Sequence, residues 1–330
     1  MARRKKRRKL SFVAKLLIII ICAFIGIIGY KKYEEYVAYQ EQLEAERLAK
    51  IEREKEEKYN KCLAKEFEVT EVTEEISALQ DELNTMLKKY NVAVYYEDLG
   101  SGFNFKYNEN EVVYGASLIK LVDALYLYDN DIDLNNTIKY ESKYIKASSK
   151  GMDTRKVGEE VSLNDLMKYA LSVSDNTAHV MLVDYIGYNT LRDYGRSLGA
   201  TAILNGVGGE KYGNQTATDT NIYLKRAYKI MTDSNYHYGD LLREYMSNDY
   251  QNHLFLENED DIAHKYGSYD RYFHNIGIVF DDNPYTISIL TQHGNGNYKE
   301  IINNIHKKIN EIHLNFRNNR KNSCYSEVYE

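Results

Sequence analysis

The strongest constraint on how this chain can fold is chemical. Three short signatures, Ser117-Leu118-Ile119-Lys120, Ser174-Asp175-Asn176 and Lys265-Tyr266-Gly267, must meet in one place if they are to do anything together. The chain holds a single Ser-x-x-Lys, which stands 57 residues before Ser-Asp-Asn; Lys-Tyr-Gly follows 91 residues later. A serine hydroxyl is a weak nucleophile at neutral pH and needs both a proton acceptor and a stabiliser for the oxyanion formed when it attacks a carbonyl. If Ser117 opens a helix, Lys120 lies one turn along the same face and its amine reaches the hydroxyl. Lys120 must be neutral to accept a proton, and burial beside a second cation such as Lys265 lowers its pKa. Leu118, Ile119, Leu121, Val122, Leu125 and Leu127 make that helix apolar enough to be buried deeply.

These signatures, in this order, resemble the class A β-lactamase and penicillin-binding superfamily, whose set is Ser-x-x-Lys, Ser-Asp-Asn and Lys-Thr-Gly. The resemblance runs from about Glu71 to Leu314 and includes Ser174-Asp175-Asn176-Thr177-Ala178 and the strand-like His274-Asn275-Ile276-Gly277-Ile278-Val279. It implies that Ser117 is the nucleophile, Lys120 its base partner and Ser174 a proton relay to the leaving nitrogen. By the same resemblance Asn176 holds the substrate amide and Lys265, in the Lys-Tyr-Gly267 strand, attracts the substrate carboxylate. The backbone N–H groups of Ser117 and Ser268 would form the oxyanion hole, where one donor is typically worth about 3 kcal/mol.

The chain departs from the family pattern in three places. Tyr266 stands where a Thr or Ser hydroxyl is usual. His274 falls about where many class A enzymes carry an arginine carboxylate clamp, and a neutral imidazole would hold an acid less firmly. Class A enzymes deacylate with a Glu-bound water on an omega loop. Here the corresponding stretch, Gly199 to Ala217, is short and glycine-rich, with Glu210 its only acid. Glu210 and Asn214 keep the Glu-x-x-x-Asn spacing, so Glu210 reads either as the deacylation base or as a solvated turn carboxylate.

The N-terminus is different in kind. A basic run, Arg3 to Lys9, precedes an apolar segment from Leu10 to Tyr30 broken only by Lys15. As a helix those residues are about 30 Å long, enough to cross a hydrocarbon core. No small-x-small cleavage site follows, so an uncleaved anchor is expected, with residues 1–9 cytoplasmic by the positive-inside rule and the remainder extracytoplasmic. Its place before an apolar span makes the basic run a lipid contact and not a nucleic-acid one. Residues 31–66 are dense in Glu, Lys, Gln and Ala, without Gly or Pro, and read as a charged helical stalk; a stalk-mediated dimer stays open, although the apolar positions are sparse for a heptad.

Residues 67–314 are expected to form the hydrolase domain. Helical spacing places a first helix through Ile76, Leu79, Leu83 and Leu87, followed by a hairpin of Val92–Tyr96 and Phe103–Tyr107. Helices follow at Leu163–Leu171, Thr177–Ile186 and Asp219–Met231, then strands at Asn275–Phe280 and Tyr285–Leu290, and a last helix at Tyr298–Ile312. The fold class is α+β: an antiparallel sheet flanked by helices, with an all-helical subdomain, preceded by a transmembrane helix and stalk. Residues 315–330 read as a polar, disordered tail. The three cysteines lie in the anchor, stalk and tail and leave none to staple the hydrolase domain. No Cys or His spacing suggests a metal, and no cofactor is implied. His179 reads as hydrogen-bonded or exposed, and Tyr144 as a candidate for the cleft mouth. Two functions are compatible with this reading: an enzyme acylated by a β-lactam or a peptidoglycan stem peptide of the D-Ala-D-Ala type, or a noncatalytic module that binds cell-wall peptide or a partner protein.

Overall fold

The computed structural model describes residues 11–202, 212–248, 262–292 and 297–330. The chain divides into two compact units, Met1–Cys62 with Tyr325–Glu330, and Leu63–Cys324. The first is built on one continuous helix, α1 (Phe12–Leu63), which runs through the apolar span and the charged segment without a break. Its apolar part has a mean hydropathy of 2.8 and is long enough to cross a membrane. Side chains such as Leu16, Ile20, Phe24 and Ile28 are exposed along it. Near its end the Tyr59 ring meets Tyr329 edge-on at 6.1 Å, and Lys55 Nζ lies 5.2 Å over the same ring. Cys62 is disulfide-bonded and Cys22 is free.

The second unit is α+β. After α2 (Glu74–Leu87), capped by the Thr73 hydroxyl, come β1 (Val92–Asp98), β2 (Asn104–Tyr107) and the short β3 (Val113–Tyr114). Then follow α3 (Lys120–Asp129), β4 (Thr137–Lys139), β5 (Glu160–Ser162), α4 (Leu163–Ser172), α5 (Asn176–Ile186), α6 (Tyr188–Ser197), β6 (Asn214–Gln215), α7 (Ala217–Thr232) and α8 (Gly239–Ser247). The chain returns through β7 (Ile262–Tyr269), β8 (Tyr272–Val279) and β9 (Tyr285–Thr291) to α9 (Tyr298–Tyr329). The main sheet has the order β2-β1-β9-β8-β7, antiparallel throughout.

Strand alternation divides the core between the two sheet faces. Val92, Val94 and Tyr96 of β1 and Tyr285, Ile287 and Ile289 of β9 pack with Leu83 of α2 and with Ile305 and Ile309 of α9. Ala93 of β1, Ile276 and Ile278 of β8 and Leu290 of β9 join the larger core with α3, α4, α5 and α7. Lys265 pairs with Ile276, and Gly267 with His274, across β7 and β8. Residues facing each other in this way share a sheet face, so Lys265 looks toward the helical side.

Residues 315–330 correct the expectation of a disordered tail, because α9 continues through them to Tyr329. Phe316 stacks on Phe103 at 4.1 Å. Arg317 makes a two-pronged contact with the buried Asp98 carboxylate, with Nε and Nη2 each 2.5 Å from an oxygen. Arg320 grips Glu71 and the carbonyls of Leu63, Lys65 and Glu66. Two of the four buried residues of this stretch are arginines, so its composition looks solvated while its geometry is that of a core helix. Cys324, also buried here, is disulfide-bonded. Removing one partner of a buried ion pair strands the other, at about 3–5 kcal/mol. Arg317→Met is therefore expected to lower the denaturant-unfolding free energy by that amount, whereas a change of under about 0.5 kcal/mol would return the segment to the status of a surface tail.

Candidate active site

Ser117 sits on a tight turn between β3 and α3. Ala116 is held in the left-handed region at φ 47°, an uncommon state for a residue with a Cβ, and a 3-10 turn over Ala116–Ile119 leads straight into α3 at Lys120. Strand β7 runs closely past this turn: a Cβ on Gly267 would lie 2.8 Å from the Gly115 carbonyl oxygen and 3.0 Å from Leu118 Cγ. Gly267 thus serves by having no side chain. Ser174 is also left-handed, at φ 55°, just before α5. The Asp175 carboxylate fixes this corner by accepting from Ala178 N at 2.8 Å and from Gly151 N and Met152 N at 2.9 Å each.

These elements gather the polar residues of all three signatures around the fully buried Lys120 amine. Its Nζ lies 3.0 Å from Ser117 Oγ, 2.6 Å from the Ser174 carbonyl oxygen, 2.8 Å from Asn176 Oδ1 and 3.3 Å from Ser174 Oγ. Lys265 Nζ donates to Ser174 Oγ at 3.0 Å and to the Tyr266 carbonyl at 3.0 Å. Burial pushes the Lys120 pKa well below its usual value, and the neighbouring Lys265 charge adds to this, while Asp175 and Asp123 oppose it.

Hydrogen-bond accounting agrees with a neutral amine. The Ser174 carbonyl and Asn176 Oδ1 can only accept, and the Asn176 amide is oriented by its Nδ2 donating to Ala147 O at 2.9 Å. They take the two N–H groups of a neutral lysine. Its lone pair is left for a hydroxyl, of which Ser117 is the nearer. This arrangement can draw the proton from Ser117 Oγ.

Beside Ser117 opens a cavity of about 240 Å³, bordered by Asn176, Ser268 and the rings of Tyr114, Tyr212 and Tyr269. None of these tyrosines is among the residues singled out by the sequence. Two had a readable signal: Tyr114 lies three residues before Ser117, and Tyr269 directly follows Ser268. Tyr144 is corrected, since its hydroxyl is tied back to Asp184 Oδ2 at 2.5 Å and its ring is buried in the helical core. Tyr266 packs near Phe273 in the core on the other sheet face, and its ring centroid lies 4.3 Å from Lys265 Nζ.

His274 is corrected as a substrate clamp. It shares a sheet face with Lys265 but is fully buried, and both its nitrogens are engaged by backbone: Nε2 donates to Tyr114 O at 2.8 Å and Nδ1 accepts from Thr291 N at 3.1 Å. It ties the strand leading to Ser117 onto the sheet. Glu210 lies outside the described residues.

Residues 78–312 match the family model described as the beta-lactamase enzyme family. The chain belongs to that family. Solved structures agree in fold. The TLA-3 extended-spectrum beta-lactamase superposes with a TM-score of 0.65 at 20% identity, covering 72% of this chain and 99% of its own. A beta-lactamase from Chitinophaga pinensis DSM 2588 gives 0.62 at 18%, covering 70% and 98%. PBP-A gives 0.65 at 16%, covering 72% and 97%, and a variant of PBP-A has been solved as an acyl-enzyme complex with penicillin G. At such identities the likeness is one of fold, and the family's architecture is the antiparallel sheet flanked by helices described above.

Burial holds the His274 pKa down to about 4 against an ordinary 6.5, so the folded protein keeps this ring neutral where the unfolded chain protonates it. Stability should therefore fall as pH drops from about 6.5 toward 4. Thermal melts across that window are expected to show a shallower loss for His274→Asn than for the parent; parallel curves would mean that the ring titrates normally in the fold.

Proposed function

We propose that this chain is a membrane-anchored serine hydrolase that forms an acyl-enzyme on Ser117 with a β-lactam or a D-Ala-D-Ala-type peptide. The observation that carries the reading is the 3.0 Å contact of Ser117 Oγ with a buried lysine amine whose N–H groups are occupied by two pure acceptors.

In this mechanism Lys120 Nζ takes the hydroxyl proton while Ser117 Oγ attacks the amide carbonyl carbon. The N–H groups of Ser117 and Ser268 hold the oxyanion. Collapse breaks the C–N bond, and the proton passes from Lys120 through Ser174 Oγ to the leaving nitrogen. Asn176 orients the substrate amide, and Lys265 attracts its carboxylate across the Ser174 hydroxyl. Water then cleaves the ester, with Glu210 as its base.

The two lysines around one serine favour this chemistry over a noncatalytic binding module, because a cleft that only binds peptide has no use for a buried neutral amine. The exposed apolar stretch of α1 and the preceding basic run support membrane anchoring with the N-terminus cytoplasmic, lipid contact through α1 and an extracytoplasmic hydrolase domain.

Intact-mass spectra of the full chain mixed with benzylpenicillin are expected to gain the mass of the drug, and Ser117→Ala is expected to gain none; labelling that survives in Ser117→Ala removes Ser117 from the role. With Glu210→Gln the adduct should persist after the parent has cleared its own. Equal clearance by both would leave Glu210 a turn carboxylate.

A further inference from the structure

Helices α3 and α5 are joined by two polar rungs, one turn apart. The upper is Lys120 Nζ to Asn176 Oδ1 at 2.8 Å. Three residues on along each helix comes the lower, Asp123 Oδ2 to His179 Nδ1 at 2.5 Å, with both side chains completely buried. A buried polar contact in a seam of apolar helices is poor evidence for stability, since well-packed apolar residues often do as well. What it does provide is charge at a fixed place.

That charge bears on Lys120. Burial and Lys265 of β7 push its ammonium form away, while Asp175, at the start of α5, and Asp123, on its own helix, favour it. The Asp175 charge is spread over three backbone N–H groups. Asp123 is different: its Oδ1 accepts no hydrogen bond among the described residues. Burial raises the Asp123 pKa, and His179 and Lys120 pull it back toward the ionised form. The His179 ring lies 5.0 Å from that of Tyr212, which borders the cavity.

We propose that Asp123 and His179 are a positioning pair that sets how readily Lys120 takes up the proton of Ser117. The proposal rests on the reading of Lys120 as proton acceptor. His179 donates its Nδ1 hydrogen and fixes the carboxylate; the carboxylate makes the Lys120 ammonium tolerable in a site that otherwise rejects it. Without the pair, Lys120 stays neutral to lower pH and is a weaker base.

The test follows the Lys120 side-chain resonance in the full chain labelled with carbon-13 lysine, through a pH titration of the parent, Asp123→Asn and Asp123→Glu. The pH profile of acylation by benzylpenicillin is recorded for each. Removing the negative charge destabilises the ammonium, so Asp123→Asn should move the Lys120 titration, and the rising limb of acylation, to lower pH; Asp123→Glu should restore both toward the parent. A folded Asp123→Asn protein with an unmoved Lys120 titration would reduce the pair to a packing contact. Should Asp123→Asn not fold, His179→Asn serves instead: a buried carboxyl without its donor is protonated, so the titration should move the same way, and an unmoved one overturns the proposal. A resonance that moves while benzylpenicillin acylates no protein upholds the pair's effect on Lys120 and removes the β-lactam from the proposed function.

Discussion

Burial of the Lys120 ammonium site is the constraint on which the remainder of the structure depends. A lysine placed at zero exposure loses its hydration, and the ordinary outcome is that it gives up its proton. The chain arranges what surrounds it so that the neutral amine is well hydrogen-bonded: a carbonyl from Ser174 and an amide oxygen from Asn176 absorb its two N–H groups. Both come from the corner where α5 begins. That corner is held in its left-handed turn by Asp175, whose carboxylate bridges α5 to the Gly151–Met152 segment. A single aspartate thus links the fold of the helical region to the protonation state of a residue on another helix.

The sheet supplies the opposite wall. Strand β7 carries Lys265 toward the site and passes so close to the Ser117 turn that Gly267 has no room for a side chain. The histidine on the neighbouring strand anchors Tyr114 by its ring nitrogen. The far face of the same sheet is closed by α2 and α9, and α9 is fastened through Arg317 to Asp98 at the end of β1. The polar C-terminal residues are in this way part of the support that keeps that wall in place.

Much of this was legible in the residues and some was not. The three signatures named residues that meet around the Lys120 amine, and the hairpin, the middle helices and the last strands followed from their periodicity. The status of Asn315 to Glu330 was not legible, because its buried face includes two arginines whose carboxylate partners, Glu71 and Asp98, lie more than 200 residues away in sequence. His274 was misread for a related reason: its position matched a family clamp, but which way its nitrogens face is decided by Tyr114 and Thr291. Asp123 offered a signal that went unused, a lone acid within the apolar run after Lys120. Its meaning required His179, which becomes its neighbour only when α3 and α5 pack.

The claim that a neutral Lys120 activates Ser117 is tested most directly by the rate at which benzylpenicillin acylates the full chain when Lys120 is replaced by Met. Met fills a similar volume and offers no lone pair of comparable basicity. The account predicts a fall of about 10²–10⁴-fold in the acylation rate, the range typical of losing a positioned general base, with the fold retained. An acylation rate within a few-fold of the parent would contradict it and would place the proton acceptor elsewhere.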